Sequence, residues 1–375
     1  MAQRRRRAPH RRALPWWAAL VVVVAVLGVG ELAARAIGPN IEREAGSEER
    51  VFIKSDQIFD RRGEGTDVAI IGSSHTAGGL VPAAIGDEVP ELSGIYNAGL
   101  TGISMDGTID WTERVVLPHL DPEIVVIGIL PMTVLDGAPL EGEDILAEQE
   151  QANAAYEAAI DQVDPGQFGD LGWQLRNRSS LIRYRPYLRS PSTAWDALRA
   201  TVAGDDTEPP ATDDTDLDWL TETDPARFAA NTGPDGEIYD YRSPSLPTDA
   251  DPLGAALYQA FAKGTTDYSG LEDLVDAITA AGAQPVIAIA PVDRGPLEAG
   301  GADLAPLDAI AADLVAWGEE RGIPVDDQFT EDWDRSLFHD RNHLDAEGAQ
   351  AWSTHLGRWL HEQCAAGALA PACEP

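Results

Sequence analysis

Three short runs in this chain are apolar at successive positions rather than alternate ones: VAII (68–71), EIVVIGIL (123–130) and QPVIAIAP (284–291). Successive side chains of a strand point to opposite faces, so a strand of this kind must be covered on both sides. GIYNAG (94–99), ending at Asn97 and Gly99, and IPVDD (323–327) read as two shorter strands. Helical patterns separate them. Residues 104–117 read as a helix. Leu271, Leu274, Val275 and Ile278 follow helical spacing behind Ser269-Gly-Leu-Glu272, which has the form of a capping box, and Gly282 closes that segment. Leu304 to Arg321 reads as another helix, with Gly322 at its end. Strands alternating with helices predict an α/β fold, a three-layer α/β/α parallel sheet of flavodoxin-like type.

The alternation breaks from about 136 to 250, which reads as a long middle insertion. Asp144 to Val163 is helical in pattern. QLRNRSSLIRYRPYLR (174–189) carries Arg176, Arg178, Arg183, Arg185 and Arg189, a basic cluster in an acidic chain. These arginines suit ordinary pairing with the acidic body. Anionic lipid is the second reading for them. Residues 205–219, DDTEPPATDDTDLDW, read as a solvated acidic loop.

The N-terminus carries a different signal. MAQRRRRAPHRR holds six arginines in twelve residues, and no charge follows from Ala13 to Gly30. Eighteen such residues with their flanks reach the length of a membrane-crossing helix. The arginines before it predict a cytoplasmic N-terminus and an extracytoplasmic body, with Trp16 and Trp17 at the interface. A cleaved signal peptide is the alternative, with Ala33-Ala34-Arg35-Ala36 as a poor cleavage site. The expected organisation is a basic tail (1–12), a transmembrane anchor (13–37), a stalk (38–66), a main domain (67–360) and a tail (361–375). Cys364 and Cys373 lie in that tail, where an external location permits a disulfide and the spacing leaves two free thiols equally open. The net charge of −36, from 27 basic and 63 acidic residues, argues against nucleic acid as a partner.

Two clusters bear chemistry. DVAIIGSSHT (67–76) ends a buried strand on Gly72-Ser73-Ser74-His75. Most such turns carry no chemistry, but ligands in open α/β sheets bind beyond the carboxyl ends of strands. A serine can be held exposed there on a tight turn. FHDRNHLDAEG (338–348) places Asp340 three residues before His343. If this segment opens a helix, both side chains share one side of the turn, and an aspartate can orient the imidazole toward a serine. A capping or surface histidine is the plain alternative. His339, Asp340, His343 and Asp345 are also potential metal ligands, with His339 and His343 at zinc-compatible spacing and no third ligand cluster elsewhere.

GSSHT after the first strand, NAGLTG (97–102) after the second and DRNHLDAEG near the C-terminus together resemble the SGNH/GDSL hydrolase superfamily. The resemblance spans residues 67–133 and 268–360. It implies Ser74 as nucleophile, the Ser74 and Gly102 amides as oxyanion donors, His343 as base and Asp340 as its orienting partner. Ser73 stands where that family usually has aspartate, and His75 would only line the pocket. The third strand departs from the pattern: it runs IGILPMTVLD, so Met132 falls near the position of the family's oxyanion asparagine. The anchor, the GSS block, Pro131 and the insertion are similar to the membrane-anchored, DltD-like branch associated with membrane-bound O-acyltransferases. That likeness implies acyl-ester chemistry, hydrolysis or transfer, on acetylated or otherwise acylated cell-envelope polysaccharide or polymer. The sequence shows no phosphate loop, dinucleotide fingerprint or haem motif, so no cofactor is expected. A catalytically degenerate glycan-binding or scaffold protein for a membrane O-acyltransferase is the competing expectation, motivated by the missing asparagine.

Overall fold

The computed structural model describes residues 16–42, 49–136, 143–163, 169–184, 188, 195, 198–199, 201–202, 231–239, 249–370 and 372–373. The basic tail (1–12), the acidic loop (205–219), Arg185 and Arg189, and the side chains of Trp16 and Arg176 lie outside what is described. The chain divides into two units, one of Met1–Glu44 with Pro165–Ala211, the other of Ala45–Asp164 with Thr212–Pro375.

The smaller unit is built on α1 (Trp16–Glu42), whose Trp17–Ile37 portion is long and apolar enough to cross a membrane. Two insertion helices, α8 (Gly169–Arg178) and α9 (Ser180–Arg183), belong to this unit. The Glu31 carboxylate of α1 accepts hydrogen bonds from Ser179 Oγ (2.8 Å) and from the amides of Ser180 (2.9 Å) and Leu181 (3.1 Å). It therefore satisfies N–H groups that the first turn of α9 cannot pair internally. Ala34, Ile37 and Tyr184 form a small buried cluster, with Leu181 and Leu188 packed against it. Residues 165–211 of the expected insertion (about 136–250) thus fall in the unit of α1. Part of the insertion folds with α1.

The larger unit begins earlier than expected. Residues 49–60, placed in a polar stalk on sequence, form α2 (Glu49–Asp60). Val51, Phe52, Ile58 and Phe59 recur at helical spacing and are buried. Lys54 is buried with them, and its Nζ donates to the carbonyls of Asn97 (2.9 Å) and Gly99. The strands and helices then follow as β1 (Val68–Gly72), α3 (Ser74–Gly79), α4 (Pro82–Gly86), β2 (Ile95–Asn97), α5 (Met105–Trp111), α6 (Leu117–Leu120), β3 (Ile124–Ile129), β4 (Leu135–Asp136) and α7 (Glu143–Val163). After the insertion come α10 (Pro252–Phe261), β5 (Thr265–Thr266), α11 (Ser269–Ala280), β6 (Gln284–Ile289), α12 (Arg294–Ala299), α13 (Ala305–Arg321), β7 (Val325–Asp327) and α14 (Ala346–Ala365).

The central sheet has the order β2-β1-β3-β6-β7, and every pair in it is parallel. β1, β2 and β3 are buried at every residue, so both faces of the middle of the sheet are shielded from water. β4 and β5 form a separate antiparallel pair. Gly72 and Gly128 sit opposite each other across β1 and β3. Gly72 has φ +145°, and a Cβ there would collide with the Gly128 carbonyl and the Thr76 hydroxyl. That close approach lets the chain leave β1 and enter α3 at once.

Two local expectations change. Ser269 does not cap α11: it is that helix's first residue, and its amide is held by Asp267 Oδ1 at 2.9 Å. Regular structure is present ahead of residue 268 as well, where Asp251 caps α10 by accepting from the Gly254 amide at 2.8 Å. The helix expected from Asp144 to Val163 is present as α7, which packs on α2 and α5, and the Tyr156 hydroxyl donates to the Thr101 carbonyl. At the C-terminal end Cys364 and Cys373 form a disulfide.

Candidate active site

Ser74 is the first residue of α3, immediately past the carboxyl end of β1. In a helix the first N–H groups have no internal acceptor, so the Ser74 amide is among those left for an external one. The end of α3 is held by Asn97, the last residue of β2. Asn97 is fully buried, and its Nδ2 lies within hydrogen-bond reach of the carbonyls of Thr76 (3.0 Å), Ala77 (3.3 Å) and Leu80 (2.7 Å). Its Oδ1 accepts from the Gly99 amide at 3.0 Å. One side chain thus fixes both the serine helix and the loop that follows β2.

Asp340 and His343 come from a tight turn, not from the start of a helix as their spacing suggested. Phe338 and Leu344 pair as an isolated antiparallel bridge, and the His339 amide donates to the His343 carbonyl at 2.8 Å. Asp340 Oδ1 accepts from the amides of Asn342 (2.9 Å) and His343 (2.8 Å), an Asx turn closed by its own carboxylate. α14 begins only afterwards, with Asp345 accepting from the Gly348 amide at 2.9 Å. The turn is also tied from outside. The Asp293 amide donates to the Arg341 carbonyl at 2.9 Å, and Arg341 Nε meets Asp251 Oδ2 at 2.6 Å.

The turn delivers the imidazole to the serine. His343 Nε2 lies 2.8 Å from Ser74 Oγ, and His343 Nδ1 lies 2.7 Å from Asp340 Oδ2. Burial alone would raise the Asp340 carboxyl. The charge and hydrogen bond of His343 and the two backbone amides outweigh it and hold the group well below the usual carboxylate range. An ionised Asp340 requires the proton on Nδ1, which leaves Nε2 as acceptor for the serine hydroxyl. Both ring nitrogens are then engaged. Among the described residues, no group of three or more His, Cys, Asp or Glu side chains is placed to hold a metal.

The remaining sequence candidates fall as follows. Gly102 sits in an exposed turn after β2 at φ +75°, a conformation that suits glycine. Ser73 precedes α3 and lines a cavity of about 30 Å³ with His75, Ile103, Ser104, Thr108 and Thr133. That is room for one water or a methyl-sized group. Burial, and secondarily the nearby His343, lower His75 to about 3 despite a hydrogen bond to the Gly128 backbone. His75 is therefore neutral near pH 7 and a poor base. Pro131 and Met132 lie in a 3₁₀ turn after β3, where Thr133 Oγ1 accepts from the Leu130 amide at 3.2 Å. No amide side chain stands there. Neither a protein-family model nor a curated protein matches this chain.

Sequence reasoning missed Asp293, which follows β6 at the same edge of the sheet and is buried. Burial raises its carboxyl to about 6, against a smaller lowering by Arg335. The folded chain therefore holds this proton more tightly than the unfolded chain does, so stability falls as pH rises from about 4 to about 6. Asp293→Asn is expected to stabilise the protein by about 1–2 kcal/mol above pH 7 and by almost nothing at pH 4. Thermal midpoints at the two pH values test this. An equal shift at both would mean that the carboxyl ionises as freely folded as unfolded.

Proposed function

We propose that this chain is a membrane-anchored, extracytoplasmic serine esterase or O-acyltransferase of SGNH/GDSL type, built on a three-layer α/β/α fold. The observation that carries the reading is the continuous relay from Ser74 Oγ through His343 to Asp340. Ser74 attacks an acyl carbonyl while His343 takes its proton. The oxyanion forms against the amides of Ser74 and Gly102 and collapses with loss of the substrate's alcohol, which His343 protonates; the acyl group then passes from Ser74 to water or to a sugar hydroxyl that His343 deprotonates. The substrate class is an acyl ester, with acetyl the smallest case, of a cell-envelope polysaccharide or polymer. A membrane-bound O-acyltransferase is the natural partner for such a site. What supports the anchor is α1, with the arginine-rich tail ahead of it setting its direction.

Met132 and Pro131 at the end of β3 favour a second reading, a site that binds or scaffolds without turnover. Loss of one oxyanion donor typically costs about 10²–10³ in rate, which slows a catalyst without abolishing it. One experiment separates the two. Full-length protein in nanodiscs is treated with a fluorophosphonate probe, beside Ser74→Ala and Ser73→Ala. The expected result is covalent labelling that Ser74→Ala removes and Ser73→Ala keeps. Absence of labelling in the folded wild type would defeat the esterase reading in favour of the binder.

A further inference from the structure

We infer that the described insertion residues 169–184, 188, 195, 198–199 and 201–202 form a second membrane element, lying in an anionic bilayer interface beside the outer end of α1. The inference rests on the reading of α1 as a membrane span. Its first support is where exposed apolar side chains occur. Among the described residues, the exposed large hydrophobics are those of α1, Leu253, and a set confined to this segment: Leu171, Leu175, Ile182, Trp195, Leu198 and Val202. Trp195 is 60% exposed and Val202 79%. A water-facing surface does not concentrate such residues in one stretch.

The set is also ordered. Leu171 and Leu175 are four apart on α8, on one side of that helix. Residues 195, 198 and 202 are helical, and their spacing puts Trp195, Leu198 and Val202 on one face. Leucine and tryptophan on one face with arginine nearby is the composition of a helix that lies in an interface. Residues 165–202 hold six arginines against two aspartates, in a chain whose net charge is −36. That local sign complements anionic lipid, whereas the rest of the chain opposes it.

The second support is depth. The uncharged run ends at Gly30, and Glu31 is the first charge after it. Glu31 is also the residue that receives the Ser179 hydroxyl and the Ser180 and Leu181 amides. The start of α9 is therefore fixed at the end of the uncharged run of α1, within the last turns of the Trp17–Ile37 span. Arg183 lies with its guanidinium 5.8 Å from the Tyr184 ring centre, in the mixed aromatic and basic setting of a headgroup region.

The test uses the full chain in nanodiscs of phosphatidylcholine with phosphatidylglycerol. Leu175→Cys, Ile182→Cys, Leu198→Cys and, within the span, Val24→Cys are each labelled with bimane; the Cys364–Cys373 disulfide leaves the introduced thiol as the reactive one. Lipids brominated near the headgroup are expected to remove most of the emission at 175, 182 and 198, and aqueous iodide little of it. Replacing phosphatidylglycerol by phosphatidylcholine should weaken the lipid quenching at 175 and 198. Strong iodide quenching at these three positions would overturn the inference, as would quenching by neither reagent, which would mean that protein covers the face. If acyl-chain-brominated lipid quenches Val24→Cys in those cases, only the interfacial element fails. If it does not, the anchor reading fails too.

Discussion

Replacing Asp340 by asparagine is expected to slow reaction of Ser74 with a fluorophosphonate by about 10⁴-fold at pH 7.5, with the fold intact. The asparagine oxygen can still accept from the Asn342 and His343 amides, so the turn survives. Its amide nitrogen then faces His343 Nδ1, and two donors cannot pair. The imidazole moves its proton to Nε2 and loses the lone pair that receives the serine proton. His343→Ala removes the same function by another route, and the double variant should be no slower than the worse single one, because the relay acts as a unit. Single-exponential labelling rates measure this. A loss of less than tenfold in Asp340→Asn would mean that His343 does not work through its Nδ1 partner. The same pair gives a stability signature. The folded-state pKa of Asp340 is depressed, so its stabilisation is complete above about pH 4 and is lost as pH falls below that. The wild type should lose its advantage over Asp340→Asn in acid.

The largest stability effect is expected at a residue that never touches the serine. Asn97→Leu keeps the side-chain size and deletes every hydrogen bond that ties α3 to the loop after β2. It leaves the buried Leu80 carbonyl and the buried Gly99 amide unpaired, each at a cost of about 1–3 kcal/mol, while the Thr76 and Ala77 carbonyls keep the amides of Leu80 and Ile238. Relaxation recovers part of this, so a loss of about 3–4 kcal/mol is expected, or about 10 °C in thermal midpoint. Labelling of Ser74 should fall as well, even at temperatures where the variant is folded, because α3 loses its fixed end. A midpoint within two or three degrees of wild type would show that water or a backbone shift replaces the asparagine (about 1 kcal/mol at most).

The strands were legible because β1, β3 and β6 are buried on both faces, which leaves an unbroken apolar run in the sequence. The serine stood out because it ends such a run, and the Asp340–His343 pair because of its three-residue spacing in a dense polar cluster. What escaped notice depended on long-range partners. α2 hides its four buried apolar residues among Glu49, Arg50, Lys54, Asp56 and Asp60, and Lys54 becomes an interior residue only because backbone carbonyls from positions 97 and 99 receive it. Asn97 read as a strand end, which it is, but its grip on α3 depends on where residues 76–80 fold. The spacing of Asp340 and His343 was read correctly as bringing them together and wrongly as helical. An Asx turn and a first helical turn share the same three-residue interval, and nothing local separates them. Asp293 gave no signal, because its burial comes from neighbours distant in the chain.

The 269-residue separation between Ser74 and His343 has a consequence for how the protein is made. Synthesis runs from the N-terminus, so the serine exists long before its base. His343 is positioned by the Asx turn of Asp340, just ahead of α14. Until residues 338–345 are made, Ser74 has no imidazole beside it and stays an ordinary alcohol. On the proposed esterase reading, a chain stopped before His343 is therefore inert rather than unregulated.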